Sequence, residues 1–417
     1  MYFNPFQVGL HRTDLHTGCI PRSPQPQETP SAQPRPQPAN PPQVRALGLI
    51  SPATEAAFHA CATTHADPSL RRVFLTQRMA RAGAAAVAIA PRDEWRWPGA
   101  AAMNSLHRAR FLERLVRRLP AGAASFGKQL VGAEVLGEGE GEGGGVRLRF
   151  ADGSRAVADA LVGFDGIKSR TRDALMRLQG KDLVVPQDAG MYAYRDLMDM
   201  KIAEEVLGPQ IAHNGSVWKS YGAYLVMYPV EHGEMLNIVV SVQNKIGLKT
   251  SLDQLIVPAT KEEALRDTAG LDPRMISLLK RFKSYNRWLL FDLMHQERYY
   301  WKRICIAGDA AHASTPHLGA GAGMAIEDAY ILGNLIAEAT SAAQLENVFR
   351  VFDEVRRPRT QRLVERSRRT GNVHSLQEPP LGVGVYVEKN RLDAMDSYYW
   401  IWNFRLEDQL EEAKKLL

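Results

Sequence analysis

The sequence has few cysteines, no long apolar run and no cluster of basic residues. Cys19, Cys61 and Cys305 are its three cysteines, and they lie far apart in a chain of 417 residues. So sparse a set is neither a disulfide framework nor a group of metal ligands, which favours a reducing compartment. No apolar stretch approaches the roughly 20 residues that span a bilayer, and the N-terminus lacks the basic and apolar parts of a signal peptide. These absences predict a soluble, cytoplasmic protein without a membrane span.

The charges of the chain are nearly balanced. Its 52 Lys and Arg residues against 46 Asp and Glu residues give a net charge of +6. Since no dense basic block with interleaved aromatics occurs, a nucleic-acid partner is not expected. The mild excess suits an anionic substrate or a phosphate-bearing cofactor. A hydrophobic fraction of 45% and a charged fraction of 24% are typical of a globular protein, and the length allows two or three domains.

One segment departs from globular composition. Residues 21–43 are dominated by Pro, Gln and Ser. Such a stretch has too little apolar surface to offset the entropy cost of ordering it, and proline lacks a backbone donor. We therefore expect an irregular segment over residues 1–45.

Periodicity predicts helices and strands in much of the remaining chain. Apolar residues recur at helical spacing over 105–119, with Ser105 as the N-cap, and again from Gly323 onward. Residues 221–230 and 235–243 are typical of two strands joined by a turn. The other predicted elements are helices over 55–62, 344–370 and 400–417, a hairpin loop over 137–145, and short buried strands over 160–166 and 303–308.

Residues 303–332 carry the strongest functional pattern. A buried strand delivers Asp309 at its carboxyl end, where ligands lie in open α/β sheets. A loop with Pro316 and several glycines follows, and then a long helix begins. Glycines let the backbone approach a flat ligand, and a helix N-terminus offers free N–H groups and partial positive charge. This arrangement suits a ring that becomes negative, such as a reduced flavin, although an ordinary strand-to-helix turn is the simpler alternative.

Residues 158–175 carry a second pattern. Asp165 and Gly166 end a predicted buried strand, and Ser169 and Arg172 complete the spacing D-G-x-x-S-x-x-R. The alternative interpretation is a tight Asp-Gly turn followed by a surface charge at Arg172.

The first pattern resembles the GD motif of class A flavoprotein monooxygenases of the salicylate-hydroxylase type, over about thirty consecutive residues. The resemblance implies that Asp309 hydrogen-bonds a ribityl hydroxyl of FAD. It also implies that Pro316, Gly319, Gly321 and Ala322 lie against the isoalloxazine ring.

The second pattern resembles the DG motif of the same family. There the strand, turn and helix contact both FAD and the nicotinamide cofactor, which implies cofactor-binding roles for Asp165 and Gly166. Arg108, in the basic stretch 107–115, matches a family arginine that reaches the FAD. The family's usual acidic residue two positions later is Arg110 in this chain, so a basic amphipathic helix packed on a sheet stays open as an alternative.

Three residues are candidates for the substrate pocket. Arg195 matches an arginine on the family's strand that faces the active site, and its planar fork suits a phenolate or carboxylate. Tyr224 lies in the next strand pair together with Tyr228, although aromatic residues in a half-buried sheet also serve simple packing. We therefore take Arg195 and Tyr224 as catalytic candidates.

Two other kinds of site are not expected. Asp309, His312 and His317 are residue types that bind metals, but Pro316 and the glycines prevent one helical face from presenting them, and no fourth ligand is evident. The G-x-S-x-G elbow of a serine hydrolase is absent from the sequence.

A family feature is also absent. Members of the family begin with a βαβ unit that carries G-x-G-x-x-G, and no such motif precedes Val44. The resemblance begins near residue 39 and continues to Leu417. A misassigned start of the gene, weak flavin binding and a different role all remain open, and the first agrees best with the intact later motifs.

These observations predict an α/β fold, in which a three-layer FAD-binding domain, incomplete at its N-terminus, holds an inserted, mostly antiparallel substrate-binding sheet. The expected function is hydroxylation of a phenolic substrate, such as a polyketide-derived ring, with FAD, NADH or NADPH, and O2, in secondary metabolism. A non-catalytic or flavin-deficient binding protein, and a flavin epoxidase or Baeyer–Villiger enzyme, are the alternatives. The expected segments are an irregular one (1–45), FAD-binding parts (46–185 and 299–375), the substrate sheet (186–298) and a helical extension (376–417).

Overall fold

The computed structural model describes residues 123, 125–137, 145–294, 297–376, 398, 400–401 and 403–417, together with the backbone of six short strands nearer the N-terminus. The helices of this part are α1 (Arg170–Leu178), α2 (Met200–Leu207), α3 (Pro209–Ala212), α4 (Lys261–Asp267), α5 (Pro273–Leu279), α6 (Asp309–His312), α7 (Gly321–Glu338), α8 (Leu345–His374) and α9 (Leu406–Leu416).

Eighteen described strands form four sheets. In chain order they are β1 (Val8–Leu10), β2 (Ala46–Ile50), β3 (Arg71–Val73), β4 (Leu75–Met79), β5 (Trp95–Arg96), β6 (Met103–His107), β7 (Leu130–Leu136), β8 (Gly145–Phe150), β9 (Arg155–Ala158), β10 (Ala160–Gly163), β11 (Gln187–Asp199), β12 (Gly215–Ser220), β13 (Ala223–Val230), β14 (Met235–Gln243), β15 (Ile256–Pro258), β16 (Asn286–Asp292), β17 (Tyr300–Trp301) and β18 (Ile304–Ile306).

The smaller of the two central sheets has the strand order β1-β10-β18-β17. Its middle strands, β10 and β18, run parallel, with Leu161 opposite Ile304. Both strands are buried along their whole length, as expected for parallel strands covered on both faces. Helices α7, α8 and α9 supply much of the apolar core around them.

The larger sheet has the order β15-β16-β11-β14-β13-β12-β4-β5, and every pairing is antiparallel except that of β12 with β4. Alternate residues of a strand point to opposite faces, so the sheet takes part in two cores. Tyr192 and Tyr194 lie on the outer face, among side chains of α2, α4 and α5. Met191 and Ala193 lie on the inner face, in a core shared with Leu318 of the loop before α7.

The two remaining sheets are three-stranded, with the orders β2-β6-β3 and β7-β8-β9. The β7–β8 pairing flanks the Gly-rich segment that was predicted to be a hairpin loop, and residues 138–144 of that loop lie outside the described part.

The predicted α/β fold with an antiparallel sheet is confirmed, and so are several of its elements. The predicted strands over 221–230 and 235–243 are β13 and β14, and the predicted helix over 344–370 is α8. The helix expected from Gly323 begins two residues earlier, at Gly321. The large sheet also includes β4 and β5, which precede residue 186, and the predicted domain boundaries stay predictions.

The prediction of Ser105 as a helix N-cap is wrong. Ser105 lies inside strand β6, where its backbone pairs with Arg71 of β3. The helical spacing in this region starts only at Phe111, so the apolar pattern did not fix where a helix begins. Residues 108–119, like the predicted helix over 55–62 and the segment 21–43, lie outside the described residues.

Candidate active site

Parallel pairing of β10 and β18 brings the two sequence patterns to one edge of the small sheet. β10 ends at Gly163, just before Asp165, and β18 ends at Ile306, just before Asp309. The pairing extends one step further, since the Ala307 N–H donates to the Gly163 carbonyl at 3.0 Å. The carboxyl ends of parallel strands form the ligand-binding edge of an open α/β sheet.

Gly308 makes the turn that leads to Asp309. Its φ of +58° lies in the region that disfavours residues with a Cβ. A Cβ at this position would also lie 3.2 Å from the Cβ of Ala325 and 3.2 Å from the ring of Phe164. Asp309 follows as the first residue of α6 and is 5% exposed.

The Asp165 carboxylate accepts hydrogen bonds at the N-terminus of helix α1. It accepts the Arg170 and Thr171 backbone N–H groups at 2.9 Å each, and the Ser169 hydroxyl at 2.6 Å. Ser169 is itself the N-cap, because its Oγ accepts the Arg172 N–H at 2.9 Å. The DG pattern therefore builds a capped turn, and a contact of Asp165 with a cofactor stays a prediction.

Arg172 joins the DG turn (residues 165–169) to the GD segment (residues 308–322). Its guanidinium donates to the carbonyl oxygens of Val184, Ile167 and Ala310 at 3.1, 2.8 and 2.9 Å. Ala310 belongs to α6, next to Asp309. Arg172 is 3% exposed, so the interpretation of it as a surface charge is wrong, and desolvation lowers the pKa of its guanidinium.

The loop after α6 leads into an uncapped helix. Pro316–Leu318 form one 3-10 turn, Gly319 takes a left-handed φ of +64°, and α7 starts at Gly321. The N-cap residue Ala320 has no side chain that can accept the first N–H groups, and the first turn holds no acidic residue. This end of an 18-residue helix therefore presents backbone donors and partial positive charge.

A network of buried charges lies behind the GD segment. Asp328 of α7 accepts the Gly308 N–H at 3.0 Å and pairs with His312 Nε2 at 2.6 Å and Arg356 Nε at 2.8 Å. Its neighbour Glu327 pairs with Arg356 and Arg359, each at 2.9 Å. Burial opposes ionisation of Asp328, but the charges of His312 and Arg356 outweigh it and lower the pKa of this carboxyl to about 2.

The substrate candidates lie on the inner face of the large sheet, opposite the GD segment. Tyr224 and Tyr228 are buried in a core that also contains Leu318, Ala320 and Met324. Arg195 is half-buried on β11, and its guanidinium lies 5.3 Å from the ring centre of Trp288. Burial raises the pKa of Tyr228 to about 12, with Arg195 acting in the opposite direction.

Tyr224 contacts the GD loop directly, because its hydroxyl is hydrogen-bonded to Nδ1 of His317. Desolvation lowers the pKa of His317 to about 3 and raises the pKa of Tyr224, so both groups are neutral near pH 7. His374 of α8 packs edge-on against the Tyr224 ring at 5.1 Å, and burial lowers its pKa as well. Both ring nitrogens of His374 lack a hydrogen-bond partner among the described residues.

The structure thus connects several predicted residues. Arg172 joins the DG turn to the helix that carries Asp309, and Tyr224 reaches His317, in the loop after that helix, from the large sheet. Arg108 lies outside the described residues.

Sequence reasoning missed the polar support of this site. Glu327 and Asp328 interrupt the apolar helix α7, and an adjacent acidic pair in such a helix signals buried ion pairs. The matching signal is the arginine-rich middle of α8, with Arg356 and Arg359. The sequence marks His317 only as a residue type that binds metals, and its contact with Tyr224 depends on the tertiary structure.

Two further findings concern metal binding and membrane-spanning helices. Within the described part of the chain, no group of three or more His, Cys, Asp or Glu residues is arranged to hold a metal ion. None of the helices described there combines the length and apolar character that a membrane span requires.

Known proteins resemble this chain over most of its length. Residues 110–367 match the family described as FAD binding domain. A 6-methylsalicylate 1-monooxygenase of Aspergillus terreus is 32% identical over 375 residues, which are 89% of this chain and 80% of that protein. A salicylate hydroxylase of Pseudomonas putida is 31% identical, over 75% of this chain and 73% of its own.

A solved structure shows the same fold. The substrate complex of a salicylate hydroxylase superposes with a TM-score of 0.75 at 30% identity, and the match covers 88% of this chain and 90% of that one. Together with the family match, this places the chain among the class A FAD-dependent monooxygenases of the salicylate-hydroxylase type.

Proposed function

We propose that this enzyme hydroxylates a phenolic substrate, of the size of a small salicylate or a polyketide-derived ring, in secondary metabolism. FAD, O2 and NADH or NADPH serve the reaction. The main support is the contact between the inner face of the large sheet and the GD loop, through Tyr224 and His317. A ring bound beside this contact would have candidate substrate residues on one side and the loop assigned to the flavin on the other.

The residues of the GD segment fit FAD. Asp309 places a buried carboxylate, an acceptor for hydroxyl groups, at the carboxyl end of β18. The uncapped start of α7 offers N–H donors and positive potential for a flavin ring that gains negative charge. Gly319, Gly321 and Ala322 have little or no side chain between the backbone and a flat ring. When bound, FAD supplies the electron transfer and O2 activation that no side chain provides.

Arg195 is the proposed anchor of the substrate. The Trp288 ring 5.3 Å away orients its guanidinium, whose fork matches a carboxylate or phenolate. Neutral Tyr224 would donate its hydrogen bond to neutral His317 and accept one from the Ser241 side chain, so its ring is held in place beside the substrate. The apolar core around these two residues would exclude water from the ring.

The first test is the visible spectrum of the purified chain with and without added FAD. We expect a flavin band that stays with the protein through gel filtration. In the Asp309→Asn variant the retained flavin should fall at least tenfold, whereas Asp253→Asn, which changes an exposed carboxylate, should retain it fully. Equal retention by both variants would contradict the assignment of Asp309.

The second test is the reaction itself. Salicylate and 6-methylsalicylate serve as probes, with NADH or NADPH oxidation and product mass as readouts. A product that gains one oxygen atom, or that gains one oxygen atom and loses CO2, with the ring intact supports hydroxylation. A lactone or an epoxide would identify Baeyer–Villiger or epoxidase chemistry instead. A protein that binds the probes but never takes up flavin would be a binding protein.

A further inference from the structure

Asp328 touches both ends of the short helix that carries Asp309. Its Oδ2 accepts the N–H of Gly308, the residue before α6, at 3.0 Å, and pairs with Nε2 of His312, the last residue of α6, at 2.6 Å. Its Oδ1 accepts Nε of Arg356 at 2.8 Å. Asp328 is fully buried, so these three partners take the place of water around its charge.

Helix α6 depends on such anchors because it has only four residues. One turn of helix fixes many backbone angles in return for very few hydrogen bonds. The turn into it also holds Gly308 at φ +58° and ψ −145°, a conformation that needs support from its surroundings. The Asp328 carboxylate supplies that support at the N–H of Gly308, the residue immediately before Asp309.

We propose that Asp328 is a positioning residue for FAD, which holds the Gly308 peptide and His312 so that Asp309 is presented to the cofactor. The proposal rests on FAD binding at the GD segment, as put forward above. It assigns no contact between Asp328 and the flavin.

Glu327 provides a matched comparison. It neighbours Asp328 on α7, is equally buried, and shares Arg356 as a partner. Its described hydrogen bonds go to arginines of α8, and none of them reaches residues 308–312. Removing its charge disturbs the same network without touching the turn that carries Asp309.

The experiment compares Asp328→Asn with Glu327→Gln as full-length apoproteins. FAD affinity is measured by quenching of flavin fluorescence, and the thermal midpoint is measured without FAD. We expect both variants to lose thermal stability to a similar degree. Asp328→Asn should bind FAD at least tenfold more weakly than wild type, whereas Glu327→Gln should stay within threefold of it.

Asp328→Asn within threefold of wild type, or an equal loss of affinity in both variants, would overturn the proposal. If Asp328→Asn does not fold, His312→Gln takes its place, with an expected loss of at least threefold in FAD affinity, and wild-type affinity in that variant overturns the proposal. A wild-type chain that binds FAD but hydroxylates no aromatic probe contradicts the proposed substrate alone. A wild-type chain that takes up no FAD contradicts both.

Discussion

The two faces of the large sheet carry similar residues in different surroundings. On the outer face, the hydroxyls of Tyr192 and Tyr194 donate to Asp267 at 2.8 and 2.7 Å, and Arg287 donates to the same carboxylate at 2.9 Å. On the inner face, the hydroxyl of Tyr224 is bound by an imidazole of the GD loop.

The two faces differ in the elements that their tyrosine hydroxyls contact. Asp267 is the last residue of α4, a helix that packs on the sheet itself. The partners of the outer cluster therefore all belong to the large sheet and the helix that covers it. Burial opposes ionisation of Asp267, but the hydrogen bonds from Tyr194, Tyr192 and Arg287 outweigh it and lower its pKa. His317 belongs instead to the segment assigned to the cofactor. Polar groups of the outer face therefore stabilise the fold, and those of the inner face connect the fold to the site.

Removing the outer carboxylate should have the largest effect on stability. Asp267→Ala leaves Arg287 and two tyrosine hydroxyls buried without their shared acceptor, and breaking a buried ion pair in this way costs about 3–5 kcal/mol. We expect a loss of that size in the free energy of unfolding, measured by urea denaturation. FAD affinity of the folded fraction should not change.

The surface variant Asp253→Ala is the control for this experiment and should unfold like wild type, since its carboxylate is exposed. A loss of less than about 1 kcal/mol for Asp267→Ala is the size expected of a surface ion pair. Such a loss would show that the outer cluster does not stabilise the packing of α4 on this face. If Asp267→Ala instead lost FAD affinity without losing stability, the outer face would act on the cofactor site, and the proposed difference between the two faces would be wrong.

Arg172→Lys tests how the DG turn supports the segment that carries Asp309. Lysine cannot reproduce the fork that reaches three carbonyl groups, including that of Ala310. With hydrogen bonds from a charged group lost, we expect about 2 kcal/mol less stability and weaker FAD binding. Arg170→Lys, in the same helix but exposed, should change neither quantity. Loss of stability with unchanged FAD affinity would show that Arg172 does not act on the GD segment.

The sequence predicts local features of this comparison well and distant ones poorly. Gly308, Asp309 and the start of α7 follow from a short apolar strand, glycines and helical spacing, all within thirty residues. The partners of Tyr192 and Tyr194 do not follow, because Asp267 lies more than seventy residues further along the chain. Which tyrosine faces the cofactor segment depends on the register of β13 against β14, which is a tertiary property.

Acid should weaken the inner face, because His317 and His374 are buried in the neutral form. The folded pKa of His317 is about 3 and that of His374 is also lowered, whereas an unfolded histidine titrates near 6.5. Below about pH 6.5 the unfolded chain therefore binds protons that the folded chain rejects, and stability falls as the pH falls. Each histidine should contribute about 1 kcal/mol of loss between pH 7.5 and 5.5.

His374→Leu isolates one of these two contributions. The His374 nitrogens have no hydrogen-bond partner among the described residues, so leucine breaks no bond there. Urea unfolding of wild type and variant at both pH values gives the difference. We expect the variant to lose about 1 kcal/mol less than wild type on acidification, and identical losses would show that His374 is not held neutral.

The smallest effect on stability, and the sharpest contrast in function, is expected from two tyrosine variants. Tyr224→Phe removes a hydrogen bond to a neutral imidazole, and Tyr285→Phe removes one to the Leu279 carbonyl at 2.9 Å. Each should cost about 1 kcal/mol. Tyr285 packs against the outer core, so its loss should leave catalysis unchanged. Tyr224→Phe should instead raise KM for the aromatic probe severalfold, because the ring stays in place and only the hydroxyl shared with His317 is lost. If both variants shift KM equally, or neither does, the hydroxyl of Tyr224 has only a structural role. The two faces then differ in the elements packed against them and not in function.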